Sequence, residues 1–174
     1  MKPIFKSHKK TSEYKEKTIE IRRVTRVVAG GKRFSFRATV IVGNLRGKVG
    51  VGVAKGLDVS SAVQKAKRKA EKNIVIIPLV EERTISYDVT GKYGASLVRI
   101  KPARKGNGLI AGGSSRIVLD LVGVKDISAK ILGRTKNKLT NAMATIQALK
   151  QLQSLAVKNE VNDEPESESD GEEF

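Results

Sequence analysis

Between Gly47 and Lys55 the sequence alternates valine with glycine or alanine: Val49, Val51 and Val53 occupy one face of an extended segment, and Gly50, Gly52 and Ala54 the other. Successive side chains of a strand point to opposite faces, so one face packs and the other is nearly bare backbone. The segment before it is also a period-2 strand, with Phe34, Phe36, Ala38, Val40 and Val42 on one face and Ser35, Arg37 and Thr39 on the other. Gly43-Asn44-Leu45-Arg46-Gly47 supplies the turn between them. Further upstream Ile19 and Ile21 alternate with Glu20 and Arg22, and the phase then slips through Arg23, Val24, Arg26, Val27 and Val28, as in a strand with a bulge or an early bend. That run stops at Ala29-Gly30-Gly31. Three antiparallel strands with order beginning near Thr18 are the simplest account.

After the strands the periodicity becomes helical. Asp58 is a suitable N-cap, and Ala62, Val63, Ala66 and Ala70 recur at helical spacing. Asn73 to Leu79 is an apolar strand-like run closed by Pro78, and Glu81-Glu82 starts a polar junction where a domain boundary is expected. In the second half, Thr84 to Val89 and Ala95 to Ile100 read as strands around a turn at Thr90 to Gly94. A glycine-rich loop follows from Pro102 to Gly113. Ser114 or Ser115 is expected to cap a helix ending at Gly123, and Asp126 to cap another ending at Gly133. A last helix is expected from Thr140 to Ala156, packed through Ala144, Ile146, Leu149, Leu152 and Leu155. The fold class is therefore α+β: a three-stranded domain with a helix over 18–80, and a small mixed β-α domain over 81–157. A basic mobile arm over 1–17 and a disordered acidic tail over 158–174 are expected to flank them.

The charge distribution indicates the partner. The formal net charge is +16, yet Glu160 to Phe174 holds eight acids and no Lys or Arg, so the preceding body is +24. A body this basic fits a polyanion. The tail is either a solubilising terminus or a competitor of nucleic acid for the basic surface. No apolar run approaches the ~18 residues of a membrane span, and no secretory h-region appears near Met1, so a cytoplasmic chain is expected. There is no Cys, and His8 is the only His, which removes thiolate sites and leaves no cofactor or metal expected. Gly47 and Gly52 have P-loop spacing, but Val53 stands where the phosphate-binding Lys is required. The third glycine of a dinucleotide pattern starting at Gly50 is Lys55. The few acids of the body occupy strand, cap or junction positions without pairing, so no enzyme is expected.

A basic binding surface remains. Thr18 to Gly56 holds nine basic residues against one acid. Arg22, Arg23, Arg26, Lys32 and Arg33 flank the Gly30-Gly31 hairpin tip, where arginine forks suit phosphate and glycine admits close backbone approach. Arg46, Lys48 and Lys55 extend the set, and Lys65, Arg68, Lys69 and Lys72 form a phosphate rail along the helix. Phe34 and Phe36 are assigned to the core, and the scarcity of aromatics favours shape and backbone recognition over base stacking.

In the order Gly30-Gly31-Lys32-Arg33-Phe34-Ser35-Phe36, Val42-Gly43-Asn44, Gly47-Lys48-Val49-Gly50-Val51-Gly52 and Ala62-Val63-Gln64-Lys65-Ala66, the first half resembles the small-subunit ribosomal protein S5 family. The second half agrees through Val89-Thr90-Gly91, Gly94-Ala95, Lys101-Pro102-Ala103, Gly108-Leu109-Ile110-Ala111-Gly112-Gly113, Arg116, Gly123-Val124, Asp126, Lys130, Leu132-Gly133 and Ala144-Thr145. The resemblance implies a double-stranded-RNA-binding-like N-terminal domain and a β-α C-terminal domain. It also implies binding to small-subunit rRNA, ribosomal proteins S4 and S8 as neighbours, and a place near incoming mRNA. Arg23, Arg26, Gly30, Gly31, Lys32 and Arg33 would reach rRNA. Gly108, Gly112, Gly113 and Arg116 would form a protein interface near S4, where the family influences translational accuracy. The chain departs from the family's pattern at Ala54, where glycine is usual, and across Arg134 to Asn141. A free RNA chaperone or remodelling factor using the same surface is the alternative.

Overall fold

A computed structural model describes residues 13–162, with side-chain surroundings through Leu152. The arm residues 1–12, the tail residues 163–174 and the packing expected of Leu155 lie outside what it describes. The chain is α+β. Its first half holds strands β1 (Lys15–Val28), β2 (Gly31–Gly43) and β3 (Lys48–Gly56), helix α1 (Val59–Lys72) and strand β4 (Ile74–Ile76). The second half holds β5 (Val89–Tyr93), β6 (Ser96–Pro102), β7 (Leu109–Ile110), α2 (Gly113–Val122), β8 (Ile127–Ile131) and α3 (Lys138–Asn162).

The first sheet is antiparallel in the order β1-β2-β3-β4. β4 pairs with β3 through Ile74 to Ile76, so the three expected strands become four, the addition coming from the apolar run after α1. β1 begins at Lys15 opposite Gly43, ahead of Thr18; its register shift lies between Thr18 and Glu20, upstream of the Arg23 to Val28 stretch where the slip was expected, and Glu20 to Val28 pairs with β2 without a break. The bare face of β3 is covered by α1. A Cβ on Gly50 would lie 2.3 Å from the Ala70 carbonyl oxygen, and one on Gly52 would lie 2.1 Å from that of Ala66. Ala62, Ala66 and Ala70 face this surface and are fully buried with Ala38, Val40 and Val42 of β2. Small residues on both sides permit this close approach. Asp58 is the N-cap, with its carbonyl accepting from the Ala62 amide (3.0 Å) and no capping bond from its side chain.

The opposite face of the sheet belongs to the other core. Ile41, Val49 and Val51 pack in one cluster with Val98, Ile100, Leu119, Val122, Ile127 and Leu149. The second sheet has the order β5-β6-β8-β7, antiparallel except for the β7–β8 pair. The hairpin expected around Thr90 to Gly94 is shifted: β5 starts at Val89, and the turn lies between Tyr93 and Ser96. Gly91 therefore sits inside a strand, where a Cβ would lie 2.3 Å from the Ala144 carbonyl oxygen, because α3 crosses there as α1 crosses β3. Thr84 makes only an isolated bridge with Val80.

Two helical readings are corrected. Ser114 and Ser115 are buried in the first turn of α2, whose N-cap is Gly112. Asp126 caps no helix: Ile127 to Ile131 is strand β8, its alternate residues Ile127 and Ala129 buried. The loop before α2 contains the short strand β7. Helix α3 runs past the expected Ala156 to Asn162, with Ala144, Ile146, Leu149 and Leu152 buried as its spacing predicts.

Candidate nucleic-acid interface

The β1–β2 hairpin projects its basic residues beyond either core. Val28 pairs with Gly31 across the turn residues Ala29 and Gly30, and Gly31 takes φ 137°, a conformation open to glycine. Arg26 pairs with Arg33 and Val27 with Lys32, all exposed. The tip residues Gly30, Gly31, Lys32 and Arg33 and the adjoining Arg26 are thus brought together. Arg23 stacks over the Phe34 ring, 3.8 Å from its centroid. Phe34 is 44% exposed, so of the two phenylalanines assigned to the core only Phe36 packs there; Phe34 becomes a platform for a guanidinium.

Register places the rest. Arg22 on β1 faces Arg37 on β2, and Arg37 faces Lys55 on β3. Cross-strand partners share a face, so these three cations cross the sheet in one row, with Arg26 and Arg33 in a second row nearer the tip. This is the face of Ile41 and Val51, opposite α1; the second half of the chain covers its lower part and leaves the basic rows open. Among the described residues Arg22 has an ion-pair partner in Glu20 (2.9 Å), while Arg26, Arg33, Arg37 and Lys55 have none. Arg37 was missing from the residues singled out by sequence, because its place in a half-buried strand gave no hint that register would set it between two other cations.

Lys65, Arg68 and Lys69 are exposed on α1, on the far side of the domain from the basic rows. Arg46 and Lys48 lie at the opposite end of β2 from the hairpin tip. Arg46 is exposed on the β2–β3 turn and Lys48 half-buried where β3 begins. The basic residues expected to bind RNA therefore fall into three groups: tip with sheet face, helix rail and distal turn.

In the second half, Gly108, Gly112, Gly113 and Arg116 lie along the approach to α2 and its first turn. Gly108 and Gly113 have φ 71° and 44°. Asp126 organises this loop: its Oδ1 accepts from the amides of Gly106 (3.0 Å) and Gly108 (3.1 Å), and its Oδ2 accepts from Arg83 Nε (3.0 Å) and Nη2 (2.8 Å). The Gly108 amide first, and then the Arg83 guanidinium, hold the Asp126 carboxyl below the usual carboxylate range. Nothing in its sequence position distinguished this clamp from a helix cap. Asp88, bonded to Arg99 (2.7 Å to Nη2), is lowered likewise.

Among the described residues no group of His, Cys, Asp and Glu is placed to hold a metal, and no helix is long and apolar enough to cross a membrane. Residues 14–78 match the family described as Ribosomal protein S5, N-terminal domain, and residues 91–163 match Ribosomal protein S5, C-terminal domain. The chain is 51% identical over 145 residues to small ribosomal subunit protein uS5 of Synechococcus elongatus, covering 83% of this chain and 80% of that protein. It is 51% identical over 141 residues to uS5c of Cyanidium caldarium (81% and 83% covered) and 50% identical over 144 residues to uS5c of Guillardia theta (83% and 85% covered). Two matched domains in order, on the two halves of an α+β fold, make the chain a member of the ribosomal protein S5 family, whose members are structural, non-enzymatic proteins of the small ribosomal subunit.

Proposed function

We propose that this protein is built into the small subunit by neutralising rRNA phosphates with its first domain while its second domain docks on neighbouring proteins. The observation that carries this reading is the set of exposed Arg26, Lys32, Arg33 and Lys55 with half-buried Arg37, at the hairpin and on the adjoining sheet face, none of which has an ion-pair partner among the described residues. Exposed cations without acidic partners gain from releasing the counterions of a polyanion. Arg22, Arg23, Gly30 and Gly31 complete the tip, with Lys65, Arg68 and Lys69 offering a second phosphate row and Arg46 and Lys48 a third contact. Gly108, Gly112, Gly113 and Arg116 form the surface for a protein neighbour; S4 and S8 are the partners the family suggests, and translational accuracy and the path of incoming mRNA the activities that contact with them would affect.

Footprinting the purified protein on small-subunit rRNA tests the reading. The chain carrying Arg26→Glu, Lys32→Glu and Arg33→Glu is expected to lose protection while keeping its fold, because all three residues are exposed. An unchanged footprint refutes the tip as the rRNA contact. Sedimentation separates this reading from a free RNA-remodelling factor: a stoichiometric place in salt-washed small subunits supports the first, and a mainly free pool the second.

A further inference from the structure

Of the two rings on the β1–β2 hairpin, only Phe36 has a packing role. Strand β3 ends at Gly56, opposite Phe36, and the cluster that α1 makes with Ala38, Val40 and Val42 takes in Phe36 at its margin. Phe34 lies two residues nearer the tip, where the sheet has narrowed to β1 and β2, and it is 44% exposed. A lone exposed apolar side chain needs no explanation. This one is engaged, however. Phe36 stands directly opposite Arg23 on β1 and Phe34 is the diagonal neighbour, within reach of a long side chain. The Arg23 guanidinium takes the diagonal and lies over the Phe34 ring, 3.8 Å from its centroid.

Stacking fixes the guanidinium plane. An arginine head seated on a ring presents a flat, delocalised, weakly hydrated surface in a set place. Arg23 is exposed and has no ion-pair partner among the described residues, so the face turned away from the ring is open. The surrounding cations select a polyanion: Lys32 shares the face of Phe34, about 6.7 Å along β2, while Arg26 and Arg33 stand on the other face. Within a polyanionic nucleic acid the flat, apolar part is the base. A base inside a duplex is covered on both faces by its neighbours, whereas an unpaired one can be laid on an aromatic ring or an arginine plane.

We propose that the Arg23–Phe34 pair is a stacking platform for one unpaired base of the small-subunit rRNA, held on the open face of the guanidinium while the phosphates beside it meet Lys32, Arg26 and Arg33. The platform presupposes the rRNA-binding reading above and adds to it the kind of nucleotide that the hairpin takes. Arg23 touches the base; Phe34 is a positioning residue that holds the plane. Few aromatics exclude stacking as the general mode of recognition, but a single platform needs one ring.

The test compares the full-length natural chain with Arg23→Lys, Phe34→Leu and Phe34→Tyr on small-subunit rRNA, reading affinity against salt and the chemical reactivity of each base. Arg23→Lys keeps the charge and removes the plane. It is expected to bind about tenfold more weakly, within the range for one stacked base, with the slope of log affinity against log salt unchanged because no phosphate contact is lost. Phe34→Leu should behave in the same way, and Phe34→Tyr, which keeps the ring, should bind as the natural chain does. In both weakened variants a base should become reactive while the backbone around it stays protected. Amide resonances of the hairpin report its fold; if Phe34→Leu disturbs them, Arg23→Lys decides alone. An Arg23→Lys chain with natural affinity, or with every base as protected as before, overturns the platform and leaves Arg23 a phosphate contact. Unchanged rRNA binding by Phe34→Leu, together with its loss from assembled subunits, would mean that a protein neighbour covers the ring and also overturns it. A natural chain that binds no rRNA overturns the rRNA-binding reading, and the platform with it.

Discussion

The amide of Leu45 in the β2–β3 turn donates to the carbonyl of Leu121 at the end of α2, across 3.1 Å, and the Gly47 amide donates to the Val122 carbonyl at 2.8 Å. The last carbonyls of a helix lack partners within it. Here Gly123, at φ 95°, and Val124 donate back to Leu119 and Asp120, and the turn of the other domain supplies the remaining donors. Asn44 shapes that turn by accepting from the amides of Arg46 and Lys48 at 2.9 Å, which holds Leu45 at φ 59°. The two domains therefore share a helix cap as well as a core. α2 runs from the glycines proposed to meet a protein neighbour to the turn that carries Arg46.

That junction gives the first prediction. A Cβ on Gly43 would lie 2.2 Å from the Leu121 carbonyl oxygen, which is backbone and fixed by its bond from Leu45. Gly43→Ala is expected to destabilise the chain by about 2–4 kcal/mol. The loss should appear as a lower urea midpoint and as earlier hydrogen exchange in both sheets together. Loss of protection in the first sheet alone would show that the domains are not coupled through this turn.

The glycines of the first domain separate by what surrounds them. A Cβ on Gly52 would sit 2.1 Å from the Ala66 carbonyl oxygen and 2.5 Å from the Ala70 amide nitrogen, whereas nothing lies within 4 Å of one on Gly30. Gly52→Ala should cost about 1–3 kcal/mol or more by forcing α1 off the sheet. Gly30→Ala should be neutral or stabilising by up to about 1 kcal/mol, since it removes freedom from the unfolded chain without strain. Thermal melts of the two variants compare them directly, and equal losses would contradict the packing.

The contrast explains what was readable from the sequence. Valine alternating with glycine announced both the strand and its bare face, and the alanine spacing of α1 announced its partner. In the second half the same signals misled. Asp126 and Gly133 have the residue types of helix caps, yet Ile127, Ala129 and Ile131 alternate as strand β8, and a short alternation between cap-like residues does not decide the period. Gly91 reads as a turn residue, but it is a strand position that α3 crosses. The hairpin tip was legible because its glycines and arginines are local in sequence. The row through Arg37 was not, because it exists only once three strands are in register.

Asp126 makes stability depend on acid. Its carboxyl is held below the ordinary carboxylate value by the Gly108 amide and Arg83 in the folded chain, so the unfolded state takes up its proton first. The contribution is complete above the unfolded value of about 3.9 and is lost as pH falls through the lowered folded value. The stability of the natural chain should fall over that acid interval, and Asp126→Asn should flatten this part of the profile while lowering stability at neutral pH. Because Asp126 also holds the amides of Gly106 and Gly108, the variant should loosen that loop, read as faster amide exchange at both glycines. A natural chain and variant with parallel acid profiles would remove Asp126 from the account.

The final prediction concerns salt. A protein that neutralises phosphates loses affinity with salt in proportion to the number neutralised, so each lost contact should lower the slope of log affinity against log salt by about 1. Arg33→Gln, Arg37→Gln and Lys55→Gln are each expected to do this for small-subunit rRNA. Arg37→Gln is the informative member, since its half-buried position between Arg22 and Lys55 makes it central to the row. Titrations between about 50 and 200 mM salt span a loss of three to five orders of magnitude if 6–10 phosphates are contacted, roughly the range for a surface of this size. Arg99→Gln serves as the comparison, because Arg99 is engaged by Asp88 on the second sheet, at 2.7 Å from Nη2, and should leave the slope unchanged. If Arg37→Gln also leaves it unchanged, the sheet face does not carry RNA, and the binding surface contracts to the hairpin tip and the α1 rail.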